Sequence, residues 1–322
     1  MFRFIMPETS DPTAGVRLLR EQTQDFLRSE ALQKLYALLG TDRESIAAQF
    51  DGRRTAGGTV LETQDLSPAE NLEPLRYELY PLLRELGFFD INRPLDQQTD
   101  RILILGGSLN ACFLRTEAAR NWISGETRSV DALTCYRPIN PVERSRSSYI
   151  SRSDTEFGVM ADAFASVFCA DSDTEFTGWS EDFHGDRNLN SIACVRTMSV
   201  AQGRTDLFQC RILAAPSSQP ERRRADTGDT LSFYLQQTDL QPGERLLAVT
   251  HNRYCNRQFL QLAHHLLTTR IRQPEACYPS LHLDVVGCLH DDRIFTADTY
   301  DPLQYLQDLI AILDWIDRFE HI

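Results

Sequence analysis

The rhythm of apolar positions changes near residue 100. Over 14–40, residues such as Val16, Leu19, Phe26, Leu32, Leu35 and Leu39 recur at near-helical spacing, and Gly40 comes next as a stop. The polar run DGRRTAGGT at 51–59 reads as a loop. Ser67-Pro68-Ala69-Glu70 combines an N-cap, a first-turn proline and a third-position glutamate. It predicts a helix carrying Leu75, Leu79, Leu82, Leu83 and Leu86, with Gly87 ending it. Residues 1–98 are therefore expected to form a helical lead-in packed on the core of the remaining chain.

From Asp100 the pattern becomes strand-like. Ile102-Leu103-Ile104-Leu105 is a continuous apolar run ending in Gly106-Gly107-Ser108, as in strands covered by helices on both faces. Further strands are predicted at 131–136, 191–195, 210–215, 245–250 and 281–286, with helices over 155–168, 255–268 and 302–319. This alternation predicts an α/β domain over 99–322, with a doubly wound, mostly parallel sheet and a C-terminal helix. The acidic segment 170–190 is expected to be an excursion or lid outside the regular elements.

The net charge of −13 disfavours general nucleic-acid binding, because such a surface repels a phosphate backbone. A small anion held by local arginines remains compatible with it. Lys34 is the single lysine, which confines Schiff-base chemistry or a P-loop lysine to that position. The eight cysteines are scattered, often within apolar runs and never as C-x-x-C, so buried reduced thiols are expected. The opening MFRFIMPETSD is too short an apolar run for a signal peptide, and no stretch approaches a membrane span. A cytoplasmic protein with no membrane partner is the expectation.

In open parallel sheets ligands bind beyond the carboxyl ends of the strands. The residues just after each predicted strand are therefore the candidates. Gly106, Gly107 and Ser108 permit a tight turn into a helix whose first amides could meet an anion, with Asn110 beside them. A plain strand-to-helix turn is the alternative reading. Arg137 stands in a proline-restrained loop after the second strand. Asp154-Thr155-Glu156 opens a helix, where capping alone accounts for these residue types. Asp226, Thr227 and Asp229 come after a run of three arginines, and Thr250 begins a polar stretch in which Tyr254 and Arg257 lie three apart. Neither G-x-G-x-x-G nor a P-loop is present. The adjacent His264 and His265 do not converge as metal ligands do, and no metal is expected.

The order of these motifs resembles the YdcF/SanA/ElyC-like family of domains of unknown function, in particular a divergent actinobacterial-type branch. The matching residues are Leu105-Gly106-Gly107, Arg137-Pro138, Thr155-Glu156-Phe157 with Met160, Asp226-Thr227-Gly228-Asp229-Thr230, and Val249-Thr250 with Tyr254 and Arg257. The likeness spans about residues 100–290. It departs from the family where Asp226 replaces Asn, where Asp229-Thr230 replaces Glu-Asn, and where the expected histidine has no clear counterpart. It implies a Rossmann-like sheet and a small-molecule enzyme acting on or binding a phosphorylated, nucleotide-like or carboxylated ligand; it also admits S-adenosylmethionine-type ligands, and no cofactor is assigned. Glu156 and Asp229 are the carboxylates available for acid–base work, with Arg137 and Arg257 holding negative charge and Ser108 and Thr250 supplying hydrogen bonds. The rival is a non-catalytic module that senses a metabolite or contacts a protein. A third reading makes Cys112 or Cys255 a nucleophile at a helix start.

Overall fold

The computed structural model describes residues 1–51, 71–168, 176–184, 188–200, 208–272, 281–288, 297–298 and 300–322. Residues 52–59 of the expected loop and the helix start at 67–70 lie outside them. Helices α1 (Pro12–Arg28), α2 (Glu30–Leu39), α3 (Ile46–Phe50) and α4 (Arg76–Glu85) come first. After them stand β1 (Arg101–Leu105), α5 (Leu109–Arg120), β2 (Ser129–Thr134), α6 (Pro141–Ser145) and α7 (Glu156–Phe168). Next are β3 (Phe176–His184), β4 (Ala193–Val200), β5 (Phe208–Ala214), α8 (Thr227–Gln236) and β6 (Arg245–Thr250). Helix α9 (Cys255–Arg272), β7 (His282–Gly287) and α10 (Pro302–Glu320) complete the order.

These elements fall into two compact units. One joins Met1–Asn92 to Asn252–Ile271 and Leu289–Ile322, so α9 and α10 belong with the first four helices. The continuous helix expected over 14–40 is broken at Ser29, whose backbone leaves the helical region and whose hydroxyl donates to the Phe26 carbonyl at 2.7 Å. Gly87 ends α4 as expected: at φ +87 its amide reaches the Arg84 carbonyl, a conformation that glycine adopts without a Cβ penalty. Leu19, Leu32, Leu83, Leu260, Leu306 and Phe319 are among the residues fully buried in this unit.

The second unit, Arg93–His251 with Arg272–Cys288, holds a seven-stranded sheet in the order β3-β4-β5-β2-β1-β6-β7. The five strands from β5 to β7 are mutually parallel, and β4 runs antiparallel to both β3 and β5. Ile102, Ile104, Val130, Ala132, Ile212 and Val249 bury against Cys112 and Phe113 of α5 and Phe157, Met160 and Phe164 of α7. Strand alternation turns the intervening residues to the other face. There Asp131, fully buried, pairs with Arg211 at 2.6 Å, and the Arg211 guanidinium lies over the ring of Tyr234 on α8. Strand β3 occupies part of the segment expected to be irregular. An edge strand pairs on one side only and needs no continuous apolar run, which is why an acidic sequence hid it.

Candidate functional site

The parallel register places the ends of β5, β2, β1, β6 and β7 on one edge: Leu105 aligns with Leu133, Thr134 with Ala214, and Thr250 with Gly287. Gly106 and Arg137 follow β1 and β2 at that edge and Thr250 ends β6 there, whereas Asp226 comes at the far end of the β5–α8 loop, as the N-cap of α8. The direction of chain winding reverses between β1 and β6: β2 and β5 lie on one side of β1, β6 and β7 on the other.

The β1–α5 turn is fixed by its neighbours. Ser108 caps α5 by accepting from the Ala111 amide at 3.4 Å, and the Gly106 amide donates to the Leu133 carbonyl at 2.8 Å. Arg115, on the second turn of α5, directs Nη1 to the carbonyl of Leu105 at 2.6 Å and also to that of Gly106. From the other side Arg137 directs Nη2 to the Gly107 carbonyl at 2.7 Å. Three consecutive carbonyls are thus drawn to two guanidinium groups. Because a trans peptide sets its N–H opposite its C=O, the Gly107 amide faces away from Arg115 and the Ser108 amide away from Arg137.

Arg137 was expected to hold a ligand's charge, but it is engaged by the protein's own carboxylates. Its Nε donates to Glu156 Oε2 at 2.6 Å, and its Nη1 to Glu143 Oε1 at 2.9 Å. Glu143 also accepts from the Leu109 amide at 3.3 Å, so a carboxylate of the chain sits at the α5 start where an external anion was expected. Burial opposes the Arg137 charge, but Glu156 and Glu143 together raise its pKa well above the ordinary arginine value.

Glu156 is 5% exposed and accepts from the Cys135 amide at 3.3 Å besides Arg137. The segments around Pro138 and Thr155 form an antiparallel bridge, with the Glu156 amide donating to the Arg137 carbonyl at 2.9 Å. Thr155 accepts from the Gly158 amide at 3.2 Å, so the capping expected at this helix start is present. Asp229 is similarly occupied: one oxygen accepts from Arg223 at 2.5 Å and the other from the Ser218 amide at 3.2 Å. With Asp226 it completes a capping box on α8, where Thr227 is the first helical residue. Burial alone would raise the Asp229 carboxyl, but the hydrogen bonds from Arg223, the Asp226 amide and Ser218 hold it below the usual range.

Cys135, next to Glu156, packs with Ala215 and Ala225, which brings the β2 and β5 loops together. Asn110 accepts from the Ser147 hydroxyl at 2.6 Å. Thr250 is fully buried, and its hydroxyl has no hydrogen-bond partner among the described residues. Tyr254 and Arg257 belong to the helical unit. There Arg257 pairs with the fully buried Asp308 at 2.6 Å, Arg253 approaches the other oxygen of Asp308 at 3.2 Å, and both guanidinium groups lie over the Tyr254 ring.

Arg115 is the residue that the sequence did not single out. It is 2% exposed and has no carboxylate within ion-pair distance among the described residues, and its Nε is sealed without a partner. A Cβ on Gly107 would lie 3.1 Å from its Nη1. Its charge reaches the thiol of Cys288, just after β7, which burial pushes up to about 11 against a smaller downward pull from Arg115. Its charge also reaches the Cys112 thiol, on which Arg137 and Glu156 act as well.

The six cysteines among the described residues are free and buried. Burial is the first cause raising Cys112 and Cys135 to about 12, and the Glu156 charge is the second. A thiol held that high is no nucleophile at neutral pH. Cys169 and Cys277 lie outside the described residues. Among the described residues no His, Cys, Asp and Glu side chains gather into a metal-binding group, and no helix is long and apolar enough to cross a membrane. Comparisons with protein-family models, curated proteins and solved structures gave no match.

Proposed function

We propose that this chain binds a small anionic ligand in a Rossmann-like sheet, at the reversal point between the C-terminal ends of β1 and β6. The observation that carries the reading is Arg115. An arginine stays protonated in proteins, and burying a charge without a counter-ion is costly. The two carbonyls on its Nη1 supply partial negative charge but no full compensation. A ligand anion supplies what is missing, at the place where open α/β sheets take their ligands. Thr250 ends β6 at that edge, fully buried, and its hydroxyl has no hydrogen-bond partner among the described residues. The YdcF/SanA/ElyC-like resemblance is compatible with this placement and belongs to the same proposal.

Binding without turnover is the form that the geometry favours. Glu156 and Asp229, the two carboxylates expected to act as acid and base, are each held by an arginine and a backbone amide. A general base must stand within hydrogen-bond reach of the proton it removes, and Glu156 is 5% exposed with its oxygens turned to Arg137 and the Cys135 amide. The test is calorimetry with a panel of phosphorylated and carboxylated metabolites on the wild-type protein and on Arg115→Gln. Saturable binding that Arg115→Gln weakens at least tenfold supports the proposal. Equal affinity in both proteins, or no binding by the wild type, removes it. Turnover of any ligand that binds would restore the enzyme reading.

A further inference from the structure

We propose that one copy of this chain seats its Ile150 in the pocket between α3 and α10 of a second copy, a head-to-tail contact made by two different surfaces. Ile150, in the loop between α6 and α7, is 91% exposed. Its neighbours are nonetheless held in place. The Tyr149 ring stacks on Phe113 at 4.6 Å, and its hydroxyl donates to Glu117 at 2.8 Å. On the other side the Ser151 hydroxyl donates to Asp162 at 2.5 Å, and Arg144 donates to the carbonyls of Ser151 and Ser153. A tip fixed in this way exposes apolar area that docking would bury, and little ordering entropy opposes its capture. The charges of the loop are unequally used. Glu143 is buried against Arg137, and Asp154 lies 3.3 Å from Arg144. The exposed guanidinium groups of Arg146 and Arg152 make no hydrogen bond or ion pair among the described residues.

The receiving surface has the opposite charge. In the helical unit a pocket of about 370 Å³ opens between α3 and α10. Ile310 and Leu313 give it an apolar lining, and its charged lining is Glu44, Asp314, Asp317 and Glu320 with a single arginine, Arg43. Arg43 is already paired with Asp317 and lies 3.5 Å from Glu320. Four carboxylates and one guanidinium leave three negative charges in excess, which Arg146 and Arg152 of another copy would offset. A small cation would meet the charge and leave the apolar lining unused, whereas an isoleucine flanked by arginines meets both. The net charge of −13 makes two copies repel in most orientations, so locally opposite patches decide the one in which they meet. Each copy offers one loop and one pocket, so the association continues into a ring or a filament and does not stop at a two-fold pair.

Sedimentation velocity across a concentration series tests this with the full chain, Ile150→Asp and Asp314→Arg. Both substitutions are at exposed positions, and circular dichroism checks that each variant keeps the fold. The wild type is expected to form larger species as concentration rises, and each variant alone to associate at least about tenfold more weakly. An equimolar mixture of the two variants keeps one intact contact, the loop of the Asp314→Arg copy with the pocket of the Ile150→Asp copy. It should give a one-to-one pair and nothing larger. A wild type that stays monomeric throughout overturns the proposal, as does a mixture that forms no pair. Loss of association in Ile150→Asp alone, with Asp314→Arg behaving as the wild type, places the loop on another surface and overturns the pocket. Vesicles of phosphatidylserine are the last arm: a monomeric wild type that binds them through Ile150 makes a lipid surface the occupant in place of a second copy.

Discussion

Glu156 Oε1 lies 2.1 Å from where a β-carbon on Gly106 would stand, and the Leu133 carbonyl lies 2.9 Å from the same point. Glycine at 106 is thus a condition for the buried carboxylate to reach Arg137. Gly106→Ala should lower stability by about 1–3 kcal/mol, the usual range for overpacking. In a Glu156→Ala background the added loss should be smaller, because one of the two obstructing groups is gone. Denaturant unfolding of the four proteins in the cycle checks this: fully additive losses would show that the two residues do not compete for space.

Removing Arg137 should be more damaging than removing a surface arginine. Arg137→Ala leaves Glu143 and Glu156 buried beside one another without their cation, and breaking a buried pair in this way costs about 3–5 kcal/mol. Arg128→Ala serves as the comparison: it faces Glu244 but is 58% exposed, and a loss of about 0–1 kcal/mol is expected. Urea midpoints at pH 7 decide it, and equal midpoints for the two variants would contradict the account.

The Asp229 carboxyl titrates below its ordinary value in the folded chain, so the unfolded state binds its proton at a higher pH. Its contribution to stability is complete above the unfolded value near 4, and is lost as pH falls through the lower folded value. Asp229→Asn should therefore show a shallower loss of melting temperature than the wild type below about pH 4. Parallel pH profiles for the two proteins would remove this role for Asp229.

Cys112 and Cys135, held near 12 chiefly by burial, should resist alkylation in the native protein at pH 8 and react quickly once unfolded. Mass spectrometry after a timed iodoacetamide pulse, with and without denaturant, reads this directly. Rapid native labelling of Cys112 would mean that its surroundings open.

Local pattern revealed much of the α/β unit and little of its polar chemistry. The bounds of β1 and β6 match the apolar runs, because buried parallel strands carry that signature unaided. Strand β3 escaped because its pairing needs only one neighbour. Arg257 looked available because Asp308, its partner, comes 51 residues later on another helix. Arg115 sits in LNACFLRTEAAR, where an arginine ordinarily reads as solvated. The signal that could have found it is the small residues flanking it, Ala111, Cys112, Ala118 and Ala119, which leave that helix without a clear polar face. Glu143 belongs to a five-residue helix whose position no periodicity fixes.

The make-up of the helical unit also governs when it can be completed during synthesis. Arg20 on α1 donates from Nε to the carbonyl of Phe319 on α10, 299 residues further along, at 2.7 Å. Leu19 and Phe319, both fully buried in the native unit, are made 300 residues apart. At about 5–20 residues per second, the early helix waits roughly 15–60 s for its partner. Throughout that interval the apolar stripe of α1 lacks its α10 partner, whereas β1 and β2, only 28 positions apart in register, can meet almost as soon as both emerge from the ribosome.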